Sequence, residues 1–368
     1  MASQSKKTVV VGMSGGVDSS VAALLLKRQG YNVIGLFMYN WDDEGEKGPC
    51  SAQEDYVDVA KTSSVLDIPY FSVDFRKEYK KLVFTPFLED YKKGLTPNPD
   101  ILCNKEIKFN FFYEKAMSLG ADYLATGHYC RLEGGKLLKA CDQNKDQTYF
   151  LHAVKKNILP KVLFPLGALQ KSEVRALAEK AGLPTYKKKD STGICFIGER
   201  NFRNFLQNYI PPQPGDFQSL DGKLVGQHQG TSFYTLGQRK HLGLGGPGKR
   251  WFVVKKDQSK NIVYVERDEN HPELYTDSLT AYHLNWLVDP PKSFPFSCMA
   301  KVRYRQKDQK VVIESVEGGV VKVRFYEAQR AVAEKQSIVF YKENICFGGA
   351  TIVQVGESIY EKNKKNLA

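Results

Sequence analysis

The sequence lacks the features that mark membrane, secreted and zinc-cluster proteins. Its longest apolar run near the start, Val21 to Leu26, is far shorter than the roughly 20 residues that a bilayer span requires. Met1 to Lys7 is polar and leads directly into a predicted strand, so we expect no signal peptide. The seven cysteines include no Cys-X-X-Cys pair, which argues against a structural zinc cluster and for reduced thiols in the cytosol. We therefore predict a cytoplasmic protein in which any functional cysteine acts as a thiol.

Acidic residues are scarce relative to basic ones. Lys and Arg total 53 and Asp and Glu total 41, which gives a net charge of +12 at pH 7. This surplus favours an anionic partner such as nucleic acid, although a solvated basic surface would give the same count. The chain has 368 residues, 42% of them hydrophobic, which predicts a globular protein of two or three domains.

Residues 1–208 have the pattern of an α/β domain with an open parallel sheet. A β-branched run at Thr8–Val11 is followed by a glycine-rich turn, a helical pattern at Val17–Arg28 and a second strand at Tyr31–Met38. Ligands of such sheets bind outside the carboxyl ends of the strands. Further elements are expected as a helix at Ala52–Leu66 and strands at Ile68–Val73 and Asp122–Thr126.

The pattern changes at a proline-rich linker, Pro211–Gly215. Residues 209–277 are rich in glycine and short strands, which predicts a small mixed central domain. Residues 278–368 predict a C-terminal antiparallel β-barrel, because apolar and alternating runs are separated by turns. Its clearer strands are expected at Ala300–Arg305, Val311–Val316, Val320–Tyr326 and Ser337–Tyr341.

A phosphate-binding loop is predicted at Ser14-Gly15-Gly16-Val17-Asp18-Ser19, between the first strand and the first helix. Glycines allow close approach of the backbone, and the helix start offers amide donors and a positive dipole end. Asp18 can cap the helix or help to hold Mg²⁺. No Gly-Lys-Ser/Thr follows, so the loop is not a Walker A motif, and it is not a GxGxxG turn. This pattern fits a site that holds pyrophosphate as a leaving group; the alternative is an ordinary strand-to-helix turn.

Two other segments place a cysteine where its thiol can be activated. Thr96–Asn104 is stiffened by two prolines and offers Asp100 as a candidate acid or base and Cys103 as a candidate nucleophile. Lys187–Gly198 places Cys195 between glycines and after three lysines, which favours a thiolate able to carry a persulfide. The alternatives are an incidental surface cysteine in the first segment and a buried core cysteine in the second.

Together these segments resemble the tRNA-specific 2-thiouridylases, a family of PP-loop ATP pyrophosphatases. The resemblance extends from about Val9 to Ile352 and implies a PP-loop adenine-nucleotide α-hydrolase-like fold. It rests on the motifs Ser14–Ser19, Thr96–Asn104, Ala125–Tyr129, Lys145–Gln147, Asp190–Gly198 and Tyr234–Lys240.

The resemblance implies ATP-dependent 2-thiolation of the wobble uridine of tRNA. ATP, accompanied by Mg²⁺, would adenylate the 2-oxygen of a flipped-out base. Sulfur would come from a persulfide on Cys195, loaded by an upstream relay protein. Cys103 matches the catalytic cysteine, a Cys103–Cys195 disulfide would result, and Asp100 matches the acid or base. We expect a monomer when the protein is free, a mobile segment around Cys195, and no metal-ligating residue.

Binding residues also follow from the resemblance. The expected ATP contacts are Gly12, Met13, Ser14, Gly15, Gly16, Val17, Asp18, Ser19, Met38 and Gly127. Asn98, Pro99 and Asp100 would bind the target base. The expected tRNA contacts are His128, Lys145, Asp146, Gln147, Arg303, Tyr304, Arg305 and Gln336. From the residues alone, His128 can equally be structural and Arg303–Arg305 a solvated strand face.

The sequence departs from the family pattern at three places. Glu334-Lys335-Gln336 stands where Pro-Gly-Gln is common, His241 where glycine is usual, and Cys130 where alanine is usual. Two other functions stay open. A PP-loop synthetase that adenylates another substrate and adds nitrogen would not need the two cysteines. An RNA-binding protein that uses ATP only as a ligand would not turn it over.

Overall fold

The computed structural model describes residues 6–41, 51–190 and 202–367. Three sheets organise this part of the chain. The strands are Thr8–Met13 (β1), Asn32–Tyr39 (β2), Tyr70–Asp74 (β3), Tyr123–Ala125 (β4), Cys130–Glu133 (β5), Lys136–Lys139 (β6), Val162–Leu163 (β7), Gly215–Gln218 (β8), Leu224–His228 (β9), Phe252–Asp257 (β10), Ile262–Glu266 (β11), Tyr275–Trp286 (β12), Phe296–Lys301 (β13), Gln309–Glu317 (β14), Val320–Arg330 (β15), Ser337–Lys342 (β16) and Ile345–Val355 (β17).

The helices lie mainly in the first domain. The α-helices are Val17–Arg28 (α1), Ser51–Leu66 (α2), Arg76–Tyr79 (α3), Thr85–Lys92 (α4), Pro99–Leu102 (α5), Phe112–Ser118 (α6), Thr148–Leu151 (α7), Lys171–Lys180 (α8), Phe202–Gln207 (α9) and Ile359–Leu367 (α10). Wider π-helical turns occur at Lys80–Phe84 and Cys103–Phe111, and 3₁₀ turns at Lys156–Lys161, Thr231–Phe233 and Pro272–Leu274. Within the described ranges, every helix falls short of the length and apolar character that a membrane span needs.

The first domain is built on a parallel five-stranded sheet in the order β3-β2-β1-β4-β7. Val9, Val10 and Val11 of β1 are fully buried because helices cover both faces of the sheet. Val9 and Val11 pack with residues of α1 and α8, and Val10 packs on the opposite face with Phe112 of α6. The predicted strand–helix–strand unit is confirmed, and the third strand begins at Tyr70 rather than Ile68.

The central sheet has the order β10-β11-β8-β9 and is antiparallel except for the β11–β8 pair. Its small core gathers Phe217, Tyr234, Val253 and Val263. The predicted linker Pro211–Gly215 leads directly into β8. The chain therefore passes from a parallel to a mainly antiparallel architecture where its composition changes.

Six antiparallel strands, β12 to β17, close into the C-terminal barrel because β12 pairs with both β15 and β17. The β5–β6 hairpin of the first domain extends the same sheet through a pairing of Leu138 with Ile345. The expected strand Ala300–Arg305 is wrong at its end, since β13 stops at Lys301. Beyond it the chain turns, because the Val302 N–H donates to the Gln306 side chain (2.8 Å).

Two residues stand where the resemblance predicts glycine, and both keep a backbone conformation that favours glycine. His241 has a φ of 61° and Lys335 a φ of 67°, both in the left-handed region. L-residues are strained there by about 1–2 kcal/mol because Cβ approaches the carbonyl oxygen. These loops therefore retain the backbone shape of a glycine turn despite the larger side chains.

We expect His241→Gly to raise the midpoint of thermal unfolding by about 1–3 °C, because relief of strain outweighs the added entropy of the unfolded chain. Lys240→Gly is the matched control, since Lys240 is an exposed neighbour outside the positive-φ set. Differential scanning calorimetry of both variants measures the difference. A fall in midpoint for His241→Gly as large as for Lys240→Gly would contradict the strain argument.

Candidate active site

The Ser14–Ser19 loop joins the carboxyl end of β1 to the start of α1. Gly16 caps α1 and has no side chain with which to bond the amides of the first helical turn, so these amides suit an anion. Ser19 braces the turn, since its hydroxyl accepts from the Ser14 N–H (3.1 Å) and donates to the Gly16 carbonyl (3.1 Å). Gly15 has a φ of 71°, and a Cβ there would lie 2.6 Å from the Asp55 carbonyl oxygen. The loop is thus pre-shaped, and only glycine fits its sharpest point.

Residues from two neighbouring strands complete this edge of the sheet. Gly127, just after β4, lies against the loop so closely that a Cβ would be 2.8 Å from the Ser19 nitrogen. Met38, near the end of β2, is partly buried and packs against both the core of Phe109 and the cluster that holds Cys103. The predicted ATP residues therefore converge at one edge, and Met38 connects that edge with the cysteine region.

Asp18 is held by partners that the sequence analysis did not identify. One carboxylate oxygen, Oδ1, accepts from Lys171 Nζ (2.6 Å) and from the Tyr129 hydroxyl (2.8 Å). The other oxygen has no hydrogen-bond donor among the described residues. A carboxylate oxygen beside a polyphosphate site suits Mg²⁺, which is commonly held by one or two carboxylates together with substrate phosphates. No group of three or more His, Cys, Asp or Glu side chains with metal-site geometry occurs in the described part of the chain.

Asp190 gathers three cations at the end of the second described range. Its carboxylate pairs with Lys145 (2.6 Å), Lys171 (2.9 Å) and Arg175 (2.6 Å). Arg175 also donates to the carbonyls of Tyr186 and Lys188, so it anchors the segment that leads to Asp190. Lys171 thereby links the phosphate loop to the residue directly ahead of the range that contains Cys195.

The pKa of Asp190 is lowered to about 2. Burial acts to raise this pKa, but the hydrogen bonds and charges of Lys145 and Lys171 together outweigh it. The sequence analysis did not identify Lys171 and Arg175. Their spacing of four residues on α8 could have indicated a shared partner, because residues four apart lie on the same helix face.

The cysteine region begins with a short helix that Asn98 caps by accepting a hydrogen bond from the Ile101 N–H (3.4 Å). Asp100 lies in its first turn, and Pro99 is buried. Cys103 starts the π-helical stretch and is 2% exposed, packed among aromatic and aliphatic side chains that include Phe84. Wide helical turns of this kind are frequent at functional sites. Cys195, its distance from Cys103 and its predicted mobility lie outside the described residues.

The residues predicted to contact tRNA differ in exposure. His128 is 8% exposed and bonded to Thr126 (2.7 Å), and burial holds its pKa well below its ordinary value. Asp146 is 4% exposed and accepts from the Thr148 hydroxyl. Gln147 accepts from the Tyr129 N–H (2.9 Å). In this conformation His128 and Asp146 are interior residues that support the loops around them, and neither side chain is presented on the surface.

On the barrel, three of the four predicted tRNA residues make internal contacts. Arg303 donates to the Ala331 carbonyl (2.6 Å), and the Tyr304 ring lies 4.4 Å from the ring of Phe150. Arg305 is exposed. Gln336 donates from Nε2 to the Thr96 carbonyl (2.6 Å), directly ahead of the predicted base pocket. Cys130 is buried and burial raises the pKa of its thiol, so it is a core residue.

Three family models match consecutive parts of the chain. They are a tRNA methyl transferase HUP domain at residues 7–199, a tRNA methyl transferase PRC-barrel domain at 203–267 and an aminomethyltransferase beta-barrel domain at 276–352. The predicted architecture, a parallel-sheet domain followed by a mixed central domain and a barrel, is confirmed.

Curated relatives match nearly the full length. The tRNA-specific 2-thiouridylase MnmA of Protochlamydia amoebophila is 57% identical over 366 residues, which cover 98% of this chain and 97% of that protein. The protein of the same name from Bacillus subtilis is 56% identical over 352 residues, with 94% and 95% covered. The chain belongs to the tRNA-specific 2-thiouridylase family. The family resemblance inferred from the sequence is confirmed.

A solved 4-thiouridine synthetase–RNA complex with bound ATP is similar over 56% of this chain and 50% of that chain, at 15% identity and a TM-score of 0.34. A likeness of this size is too distant to support an argument about the thiouridylase site.

In this thiouridylase we expect Gly127→Ala to weaken ATP binding roughly five- to a hundredfold, because overpacking costs about 1–3 kcal/mol. The added methyl would press on the Ser19 nitrogen and distort the start of α1. Isothermal titration calorimetry with ATP measures the loss. Gly245→Ala is the control, since a Cβ there meets open space. Equal ATP affinities in the two variants would show that this contact does not shape the site.

We expect Asp190→Asn to destabilise the protein by about 1–2 kcal/mol near neutral pH, because three cations lose their shared anion. The folded-state pKa is below the unfolded value of 3.8, so this contribution is fully present above about pH 4 and is lost as the pH falls towards 2. Denaturant unfolding of both proteins between about pH 3 and pH 7 tests this. A difference that grows on acidification would contradict the assignment.

Proposed function

We propose that the protein catalyses ATP-dependent 2-thiolation of the wobble uridine of tRNA. The observation that carries this proposal is the match to tRNA-specific 2-thiouridylases over 98% of the chain. Membership of that family supports the enzyme class, a tRNA-uridine 2-sulfurtransferase. The loop ahead of α1 suits the phosphates of ATP, and the cysteine region supplies a thiol for sulfur transfer. Met38 packs between these two regions.

Adenylation is the first step of the proposed reaction. The phosphates of ATP lie at the start of α1, where free amides and the helix dipole favour negative charge. The 2-oxygen of the uridine attacks the α-phosphorus and pyrophosphate leaves, which turns the oxygen into part of an AMP leaving group. Lys171 stands beside Asp18 at 2.6 Å and neutralises charge at this edge. Asp18, through its second oxygen, is the residue that would hold Mg²⁺, which offsets phosphate charge when bound.

Sulfur transfer follows from a Cys195 persulfide. In one order, the Cys103 thiolate attacks the Cys195 sulfur, a disulfide forms, and the released hydrosulfide displaces AMP from C2 of the base. In the other, the outer persulfide sulfur attacks C2 and displaces AMP, and Cys103 then cleaves the bond between the two sulfurs. Both orders leave the same disulfide, which an external thiol reduces. Asp100 serves as the acid or base, and Asn98 and Pro99 complete the pocket of the flipped base.

The position of Cys103 supports this assignment. It starts the π-helical stretch directly after α5, the short helix that Asn98 caps and that carries Asp100 in its first turn. A cytoplasmic location, an upstream persulfide donor and a monomeric free state remain predictions. His128, Lys145–Gln147, Arg303–Arg305 and Gln336 likewise remain predicted tRNA contacts.

The proposal is tested with purified protein, Mg²⁺-ATP, a persulfide donor and tRNA from cells that lack the modification. We expect 2-thiouridine in the digested tRNA with the wild type. With Cys103→Ser and Cys195→Ser we expect loss of at least about a hundredfold, because each removes a thiol required for sulfur transfer. Mass spectrometry of the nucleosides gives the yield, and tRNA-dependent release of pyrophosphate should persist in both variants.

Cys141→Ser is the matched control, because Cys141 is exposed and no part of the proposed site. Full activity of both Cys103→Ser and Cys195→Ser would contradict sulfur transfer through these two thiols. Pyrophosphate release without a thionucleoside would instead favour a synthetase that adenylates another substrate and adds nitrogen. Binding of tRNA and ATP without any pyrophosphate release would point to a non-catalytic RNA-binding protein.

A further inference from the structure

The segment Lys92–Thr96, which leads from α4 to the predicted base pocket, is held by the central domain. Lys256, on β10, donates from its ammonium to the carbonyl of Gly94 and also to the carbonyl of Tyr234 (2.9 Å). One side chain thereby joins a catalytic-domain carbonyl to a central-domain carbonyl. Gly94 is four positions ahead of Asn98 and has a φ of 70°, so the chain turns at the point where Lys256 holds it.

Lys256 is an unusual residue for such a junction. In the described part of the chain, its ammonium has no carboxylate within ion-pair distance, and its hydrogen bonds go to backbone carbonyls. Partial burial of this charge costs free energy that an apolar side chain would avoid, and the charge of the Glu334 carboxylate offsets that cost only in part. The neighbouring Lys255 points to the opposite face of β10, where it is exposed and pairs with Glu273 and Glu361.

Other contacts hold the same segment at each end. Gln258 donates to the Lys92 carbonyl (3.2 Å), and a Cβ on Gly94 would lie 2.5 Å from the Gln258 Oε1. From the barrel, Gln336 donates to the Thr96 carbonyl (2.6 Å). The backbone immediately ahead of the pocket is thus fixed by two domains that carry none of the proposed catalytic groups.

We propose that Lys256 is a positioning residue for thiolation, which fixes Gly94 and thereby sets where Asn98, Pro99 and Asp100 hold the target base. This inference rests on the proposed function, because it takes those three residues as the base pocket. The pocket is anchored on one side by α5, which Asn98 caps, and on the other by the segment that Lys256 holds. Releasing Gly94 leaves the base bound but displaced relative to the activated phosphate and the thiols.

The test compares Lys256→Met and Lys256→Arg with the wild type, using tRNA that lacks the modification, Mg²⁺-ATP and a persulfide donor. Lys256→Met keeps the apolar stem and removes the donor. We expect its single-turnover rate of 2-thiouridine formation to fall about ten- to a hundredfold while the ATP Kd stays within about twofold of wild type, because misplacement of reacting groups affects the rate. Lys256→Arg restores at least half of the lost activity on a logarithmic scale, because it retains a cationic donor.

Lys255→Met is the matched control and should react at the wild-type rate, since Lys255 lies on the exposed side of the same strand. Gln258→Ala is measured alongside, with a smaller loss of the same kind expected, so that the outcome does not depend on the folding of one variant. Equal rates for Lys256→Met, Gln258→Ala and Lys255→Met would overturn the positioning role. The positioning role would also be overturned if Lys256→Met lost activity together with thermal stability and ATP affinity, and if Lys256→Arg did not restore that activity.

The two proposals fail in different ways. A wild-type protein that forms no 2-thiouridine overturns the proposed function and the pocket on which the role of Lys256 rests. A wild-type protein that thiolates tRNA, beside a fully active Lys256→Met, overturns the positioning role alone.

Discussion

The ion-pair chain from Asp18 through Lys171 to Asp190 holds together the parts of the first domain that the proposed chemistry needs. Lys171 is 2.6 Å from Asp18 and 2.9 Å from Asp190, and without it two carboxylates would face each other in a partly buried site. Lys145 and Arg175 add two further cations. Three cations thus offset the carboxylates of Asp18 and Asp190 beside the phosphate loop. The same chain of contacts fixes the last residue ahead of the range that carries Cys195.

The second constraint is that the barrel and the catalytic domain share one core. Leu287, Val339, Tyr341 and Cys346 of the barrel pack in the same cluster as Val10 of β1. The Tyr149 hydroxyl donates to the Ser337 carbonyl (3.0 Å), and the β5–β6 hairpin continues the barrel sheet. The barrel is therefore fixed relative to the sheet that bears the phosphate loop, and its hold on Thr96 acts from a rigid support. A barrel on a loose linker could not position a catalytic loop in this way.

Sequence reasoning succeeded where the signal was local. The β-branched run, the glycine turn and the apolar helix of β1 to α1 are adjacent in the chain, so their pattern alone predicts their arrangement. The predicted end of the strand at Arg305 was wrong. The strand stops at Lys301, because the Val302 N–H donates to the side chain of Gln306, which lies outside the apolar run. Lys256 carried no signal at all. A lysine on a strand is usually solvated, and only the tertiary contact with Gly94, 162 positions away, gives it a structural role.

The phosphate loop has no lysine of its own, but a lysine from a distant helix reaches it. Lys171 reaches Asp18 from 153 positions further along the chain, at the start of α8. From α8, Lys171 also pairs with Asp190 (2.9 Å). One ammonium thereby joins the proposed nucleotide site to Asp190, the residue directly ahead of the range that contains Cys195.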